Sequence, residues 1–261
     1  MWLLCGVALA GSLTISTSGA GGGEAAAISG RVVDKFGENP SCGTTEEDVW
    51  SGGGIYPGLL TSGDTVLIAS GGDAADTAAG AGCREVTVQG LLASDWTVAS
   101  EAIATAGTGA SSATTSTFIR VFRAWCSATG TYGAANTAAI SITTSGGTVV
   151  ADIPAGFGQT QNTHYTVPAG FSAHFYGGTV VVESTKSVEL KLDYRLNADD
   201  VTVPYTAKRV AIDYAGLSGV VNLDAANPLV FPAKTDIWIT CDASSGTSAV
   251  SGRYNLRLVP N

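Results

Sequence analysis

The stretch SVELKLDYR (187–195) alternates without a fault: Val188, Leu190, Leu192 and Tyr194 fall on one side, Glu189, Lys191, Asp193 and Arg195 on the other. A period of two marks a strand with one buried and one wet face, and it recurs along the chain. REVTVQG brings Val86 and Val88 together, and TDIWITC pairs Ile237 with Ile239 while Trp238 points the other way. GRYNLRLVP aligns Tyr254, Leu256 and Leu258 against Arg253, Asn255 and Arg257. TFIRVFRAWCS carries large apolar groups on both faces (Phe118 and Phe122; Ile119, Val121 and Trp125), which predicts a central strand covered on both sides. No window holds apolar residues at helical spacing over three turns without Gly or Thr interrupting. Turn residues recur about every 8–14 positions, at joints such as SGGG (51–54) and TSGG (144–147). That rhythm predicts an all-β fold of antiparallel strands, as a β-sandwich or jelly-roll.

The chain has 261 residues, enough for one large all-β domain or two modest ones. The TSGG joint and a shift in charge divide it into a first β-sandwich unit at 49–145 and a second, jelly-roll-like unit at 146–261. The first 48 residues are sparse in large apolar side chains and read as an extended N-terminal arm. Residues 1–110 carry 12 acidic and 3 basic side chains, whereas 111–261 carry 10 of each. There is no basic stripe, which argues against nucleic acid as a partner and against an anionic membrane. Charged residues make up only 13% of the chain, about half the usual share, which suits a surface partly buried in an assembly. The apolar run from Trp2 to Leu13 has the length of a leader's core but no basic residue before Arg31. It reads as an ordered arm or strand rather than a targeting signal.

Five cysteines (Cys5, Cys42, Cys83, Cys126, Cys241) stand at long spacings with no CxxC pair. The odd count and wide spacing predict free, buried thiols and no zinc site. The only imidazoles are His164 and His174, ten residues apart with no carboxylate at ligand spacing between them, and there is no GxSxG elbow. No catalytic set is expected. Asp73 and Asp76 in SGGDAADTAAGAG are weak calcium candidates whose spacing fits no calcium-loop pattern; the plainer expectation is that they cap turns. Asp199, Asp200 and Asp236 are the carboxylates a glycosidase would need. No cofactor is implied.

One segment duplicates itself: Ile153-Pro154-Ala155-Gly156-Phe157 and Val167-Pro168-Ala169-Gly170-Phe171. Pro ends a strand and Gly two residues later takes the permissive turn position, so the repeat predicts the same turn twice, with Ile153 and Val167 at the ends of neighbouring strands. The amide- and hydroxyl-rich GQTQNTH between them makes Gln159, Gln161 and Asn162 candidates for contact with a neighbouring subunit, along with Trp238.

Taken in order, EDVWSGGGIY, IASGGDAADTAAGAGCREVTVQGL, TFIRVFRAW, GQTQNTHYTVPAG, KLDYR and PAKTDIWITCDASS resemble a family of virion structural proteins of tailed bacteriophages, particularly marine ones. The resemblance covers roughly residues 34–259 and leaves out the arm before Asp34. It implies an all-β virion protein with no catalytic residues to carry over. The expected role is capsid decoration or cement (or turret), with the major capsid protein and copies of itself as partners, in a trimer or a capsomer-top ring. A tail or neck location, with or without receptor binding, fits the resemblance equally. A secreted carbohydrate-binding or carbohydrate-active β-sandwich protein is the reading from a different class.

Overall fold

Alternating apolar residues form strands when a second sheet is at hand to cover them, and four small sheets supply that cover here. The computed structural model describes residues 31–70, 72–183 and 185–261. Fifteen strands run through them: β1 (Arg31–Cys42), β2 (Glu47–Asp48), β3 (Val66–Ser70), β4 (Cys83–Leu92), β5 (Val98–Ala104), β6 (Phe118–Thr129), β7 (Ile140–Thr144), β8 (Val149–Ile153), β9 (Tyr165–Thr166), β10 (Phe171–Val182), β11 (Val188–Arg195), β12 (Arg209–Leu217), β13 (Gly219–Phe231), β14 (Asp236–Ala243) and β15 (Ser248–Pro260). Every pairing between them is antiparallel, and no helix occurs among the described residues.

The first sheet has the order β1-β15-β10-β13; the second is β12-β11-β14-β2, with β9 also on β14; the third is β3-β7-β8 and the fourth β5-β4-β6. The four are arranged like a four-bladed propeller. Their apolar faces divide between two clusters. One is filled by β10, β11, β13, β14 and β15 through Phe175, Leu190, Leu192, Leu223, Ile237 and Tyr254. The other is filled by β3 to β8 through Ile68, Val86, Val88, Phe118, Ile140 and Ile142.

The alternating stretches sit as their periodicity requires. Val188, Leu190 and Leu192 are fully buried on β11, as are Val86 and Val88 on β4. The expected central strand is β6, and its cover comes from both clusters: Phe118 and Val121 enter the second, Ile119 and Phe122 the first. It is the outer strand of its own sheet, yet its far edge is taken. Cys126 N–H donates to Gly158 O (2.8 Å) and Thr160 N–H to Ala124 O (2.9 Å).

Three expectations need correction. The proposed arm over 1–48 includes a strand of the first sheet: residues 31–42 are β1, which pairs with the C-terminal β15 from Arg31↔Leu258 to Asn39↔Val250. Residues 1–30 lie outside the described residues. The proposed boundary at 145/146 is the turn of the β7–β8 hairpin, so β8 belongs with the strands before it. Four of the five cysteines are not free thiols: Cys42–Cys241 and Cys83–Cys126 are disulfides, with Cα atoms 6.3 Å and 5.7 Å apart, and Cys5 lies outside the described residues. The first joins β1 to β14, hence the first sheet to the second, and the other clips β4 to β6.

Candidate functional site at the seam between the clusters

The duplicated turns behave alike. Phe157 N–H donates to Pro154 O (3.1 Å) and Phe171 N–H to Pro168 O (3.4 Å). Gly156 and Gly170 both have φ of 77°, the left-handed third position of a type II turn. The expectation that Ile153 and Val167 end neighbouring strands does not hold: Ile153 closes β8 in the third sheet, and Val167 follows β9 beside the second.

Between the turns, residues 158–167 form a strap along the seam rather than a surface loop. Ser51 N–H donates to Gln161 O (2.8 Å), Asn162 N–H to Phe36 O (3.1 Å), Thr163 N–H to Val49 O (3.2 Å) and Val167 N–H to Thr235 O (2.9 Å). The strap lies so close to β1 that a Cβ on Gly37 would stand 2.7 Å from Thr163 N; only glycine admits that approach. Tyr254 Oη reaches in to donate to Thr163 O (2.5 Å).

Aromatic side chains close around His164 from both sides. Its ring centroid is 4.3 Å from Tyr56 and 5.7 Å from Trp238, the latter stacked at 8°, and the residue is 3% exposed. Asn162 Oδ1 accepts the His164 backbone N–H (2.9 Å). That fixes the amide orientation and makes His164 Nδ1, also 2.9 Å away, the donor to the same oxygen. Nε2 faces Asp48 Oδ2 at 3.4 Å, and that oxygen accepts Tyr56 N–H (2.7 Å). The Tyr56 hydroxyl donates to Val150 O (2.6 Å); burial pushes it well above the usual phenol range.

Two buried cations tie the clusters together. Arg120 of β6 grips Asp236 of β14 with two bonds, Nε–Oδ1 at 2.9 Å and Nη2–Oδ2 at 3.0 Å. Its Nη1 donates to Leu60 O and Ile119 O (2.7 and 2.8 Å), and Thr166 Oγ1 donates to Asp236 Oδ1 (2.6 Å). Lys35 of β1 donates to Phe122 O (2.7 Å). Burial, aided by nearby Arg123, holds this amine well below the usual lysine range.

Where the seam meets the surface, a cleft of about 280 Å³ opens. It is lined by Pro154, Ala155 and Phe157 of the first turn, Glu38 and Pro40 of β1, Asp152 of β8 and Gln161 of the strap. Burial pushes the Asp152 carboxyl upward.

The residues singled out in the sequence are distributed as follows. Gln161 lines the cleft, and Gln159 forms a backbone bridge with Trp125. Asn162 and Trp238 are buried at 4% and 5% exposure with their contacts inside the chain, so the surface of the strap is left to the two glutamines. Asp76 is fully buried and its carboxylate accepts the N–H groups of Cys83, Thr137 and Ala138 at 2.8–3.1 Å. Asp73 caps a turn through Ala75 N–H (2.7 Å). Both therefore act on backbone donors, as turn-capping aspartates do. No group of metal-ligating side chains forms among the described residues. Asp236 is committed to Arg120, and Asp199 pairs with Lys234 at 2.6 Å. Asp200 accepts Thr202 N–H (3.3 Å). His174 lies half-buried on β10, opposite Arg257 and Val230.

Sequence reasoning missed Arg120, Lys35, Asp48 and Tyr56. Arg120 did leave a signal, as a charge flanked by Ile119 and Val121 inside a stretch apolar on both faces; such a residue requires a buried partner. Compared with protein-family models, curated proteins and solved structures, the chain matches none of them.

Proposed function

We propose that the chain is a non-enzymatic structural subunit of a phage virion that decorates or cements the capsid, binding the major capsid protein and copies of itself. One observation carries the reading. Among the described residues the edge strands β12 and β13 each pair on one side only, and they expose Val210, Tyr214, Val220 and Val230, with Val203 and Tyr205 in the loop leading to β12. An apolar edge of this kind is a surface that natural proteins cover. Bulges interrupt β12 twice along its pairing with β11, so the cover comes from side-chain packing rather than from an added strand. The polar groups suited to chemistry are engaged elsewhere: His164 is enclosed by rings, Asp76 holds three backbone N–H groups, and Asp236 holds Arg120.

In finer detail, we read the architecture as two sandwich units. The first and second sheets face each other across one cluster, the third and fourth across the other. The test of location is a cryo-EM map of particles containing the chain. Density on the shell with β12 and β13 against a neighbour supports the proposal, and density confined to the tail or neck, or none at all, refutes capsid decoration. Replacing Val203 and Val230 with Asp should lower occupancy on the shell and leave the fold intact.

A second reading, an extracytoplasmic carbohydrate-binding protein, is favoured by the two disulfides, which persist in oxidising compartments. A virion released into the medium meets the same condition. Binding on a glycan panel that is lost on alanine replacement of Asp199 and Asp200 would select this second reading.

A further inference from the structure

The cleft at the first PAG turn combines features that no part of the proposed function uses. We infer that it is a binding site for a cationic group at the end of a short apolar chain, an alkylammonium or alkylguanidinium. The volume, about 280 Å³, lies at the small end of ligand pockets and suits one long side chain or a compact amine. The lining is mostly apolar: it includes Pro40 and Pro154, and Phe157, 53% exposed, adds an aromatic ring. Two carboxylates, Glu38 and Asp152, line the same small space, and neither forms a salt bridge to any cation among the described residues.

That last point distinguishes the cleft from the rest of the seam. The buried Asp236 has its arginine and the buried Asp193 its lysine, Lys208. Half-buried Asp152 has no such cation, although carboxylates withdrawn from water are ordinarily paired. A cation entering the cleft supplies the missing charge and is attracted to an aromatic face, and its methylene stem covers the prolines. An anion would meet two like charges, and a neutral alcohol would gain only the apolar contact. Gln161 adds an amide whose carbonyl accepts a further N–H. The ligand has two possible sources with this one chemistry: a lysine or arginine side chain of a neighbouring protein chain, or a free amine.

The test is titration of the full-length, disulfide-intact protein with n-butylammonium, agmatine, n-butanol and butyrate, followed by amide chemical shifts at Ala139, Ala155 and Phe157. The two cations should shift these resonances saturably and at least tenfold more tightly than butanol, with butyrate inert. Asp152→Asn and Glu38→Gln together should abolish the preference for cations over butanol. Phe157→Ser, at an exposed position that the fold tolerates, should weaken the cations several-fold with dispersion of the spectrum unchanged. Butanol binding as tightly as butylammonium, or cation binding that survives the double substitution in a folded protein, overturns the inference. Blocked lysine amide (N-acetyl, C-amide) distinguishes the sources. Binding as tight as butylammonium assigns the site to a partner's side chain, and exclusion of the blocked residue while agmatine binds assigns it to a free amine.

Discussion

Arg120→Met should destabilise the protein more than any single truncation in either apolar cluster, and the structure sets the size of the effect. Arg120 and Asp236 are 2% and 1% exposed, so the pair is screened little by solvent. The substitution keeps the aliphatic volume but removes the bidentate grip at 2.9 and 3.0 Å. Asp236 is then a buried carboxylate with Thr166 as its one remaining side-chain donor, and two carbonyls, Leu60 and Ile119, lose a charged donor. Breaking a buried pair from one side costs about 3–5 kcal/mol, and orphaned carbonyls add roughly 1–2 kcal/mol. The sum, about 4–7 kcal/mol, is a large share of the ~5–15 kcal/mol by which domains are stable. At about 2–4 °C per kcal/mol for a chain of this size, Tm should fall by roughly 8–28 °C.

The double variant Arg120→Met with Asp236→Leu makes the reasoning refutable. It removes the stranded charge, and apolar replacement of a buried pair is often close to neutral; the unpaired carbonyls and the Thr166 hydroxyl remain. It should therefore be at least about 2 kcal/mol more stable than Arg120→Met alone, a coupling expected only between groups in direct contact. Urea unfolding of the four proteins of the cycle, at fixed pH with disulfides intact, measures this. A single variant within about 1 kcal/mol of the parent, or a double variant no more stable than the weaker single one, refutes the claim that charge pairing holds the seam.

Alkylation after unfolding without reductant should label no more than one cysteine per chain, and five after reduction; intact mass gives the count. Opening Cys42–Cys241, which spans 199 residues, should cost up to about 5 kcal/mol on loop-closure entropy, and opening Cys83–Cys126, which spans 43, up to about 4; thermal melts of the Cys→Ser pairs should rank in that order. Asp76→Ala strips charge-assisted bonds from three backbone N–H groups and should cost about 3 kcal/mol, with added calcium giving no recovery of Tm. Lys35 has its folded-state pKa lowered by burial, so the unfolded chain binds the extra proton in the window between that lowered value and the ordinary lysine value. Stability should therefore rise with pH as the folded-state pKa is passed, and Lys35→Met should flatten that rise and raise Tm at neutral pH; melts from pH 6 to about 9.5, below the range where tyrosines ionise, check the slope.

Strand positions were legible because burial on one face leaves a period of two in the sequence. Val188, Leu190 and Leu192 could not all be buried on a helix, and β11 follows from them directly. The doubled PAG turn was legible for a similar reason: proline and a positive-φ glycine are local demands, and both copies meet them identically. Partnership across the chain left fainter traces. β1 reads as an arm because its apolar content is low, with Gly37, Asn39 and a buried Lys35 standing where a sandwich strand would carry Val or Ile. It is a strand because β15, more than 200 residues later, supplies its ladder. The disulfides were hidden behind Cys5: with it the count is odd, and without it four cysteines remain that pair completely. Which pairs with which depends on the register of β4 on β6 and on the approach of β1 to β14, and neither is local. The strap failed in the opposite direction. Its amides and hydroxyls look like a wet loop, whereas Thr160, Asn162, Thr163 and His164 are buried because a seam between sheets needs donors and acceptors for strand edges left unpaired.

The seam also explains why this chain spends its unusual residues where it does. An apolar strap would bury as much surface and keep its backbone bonds, but it would lose the Thr160 Oγ1 that accepts Ala124 N–H (3.2 Å), the Thr163 Oγ1 that accepts Ile239 N–H (3.2 Å) and the Asn162 Oδ1 that accepts His164 N–H (2.9 Å). Four of the polar residues there bond across to another element: Asn162 N–H to β1, Thr163 to β14 and β15, Arg120 to β14, and Lys35 to β6. Apolar contacts tolerate sliding, whereas these bonds exist in one register. The relative placement of the two clusters is thus set by directional bonds, and the cleft lined by Glu38 and Asp152, one carboxylate from each side of the seam, takes its shape from the same placement.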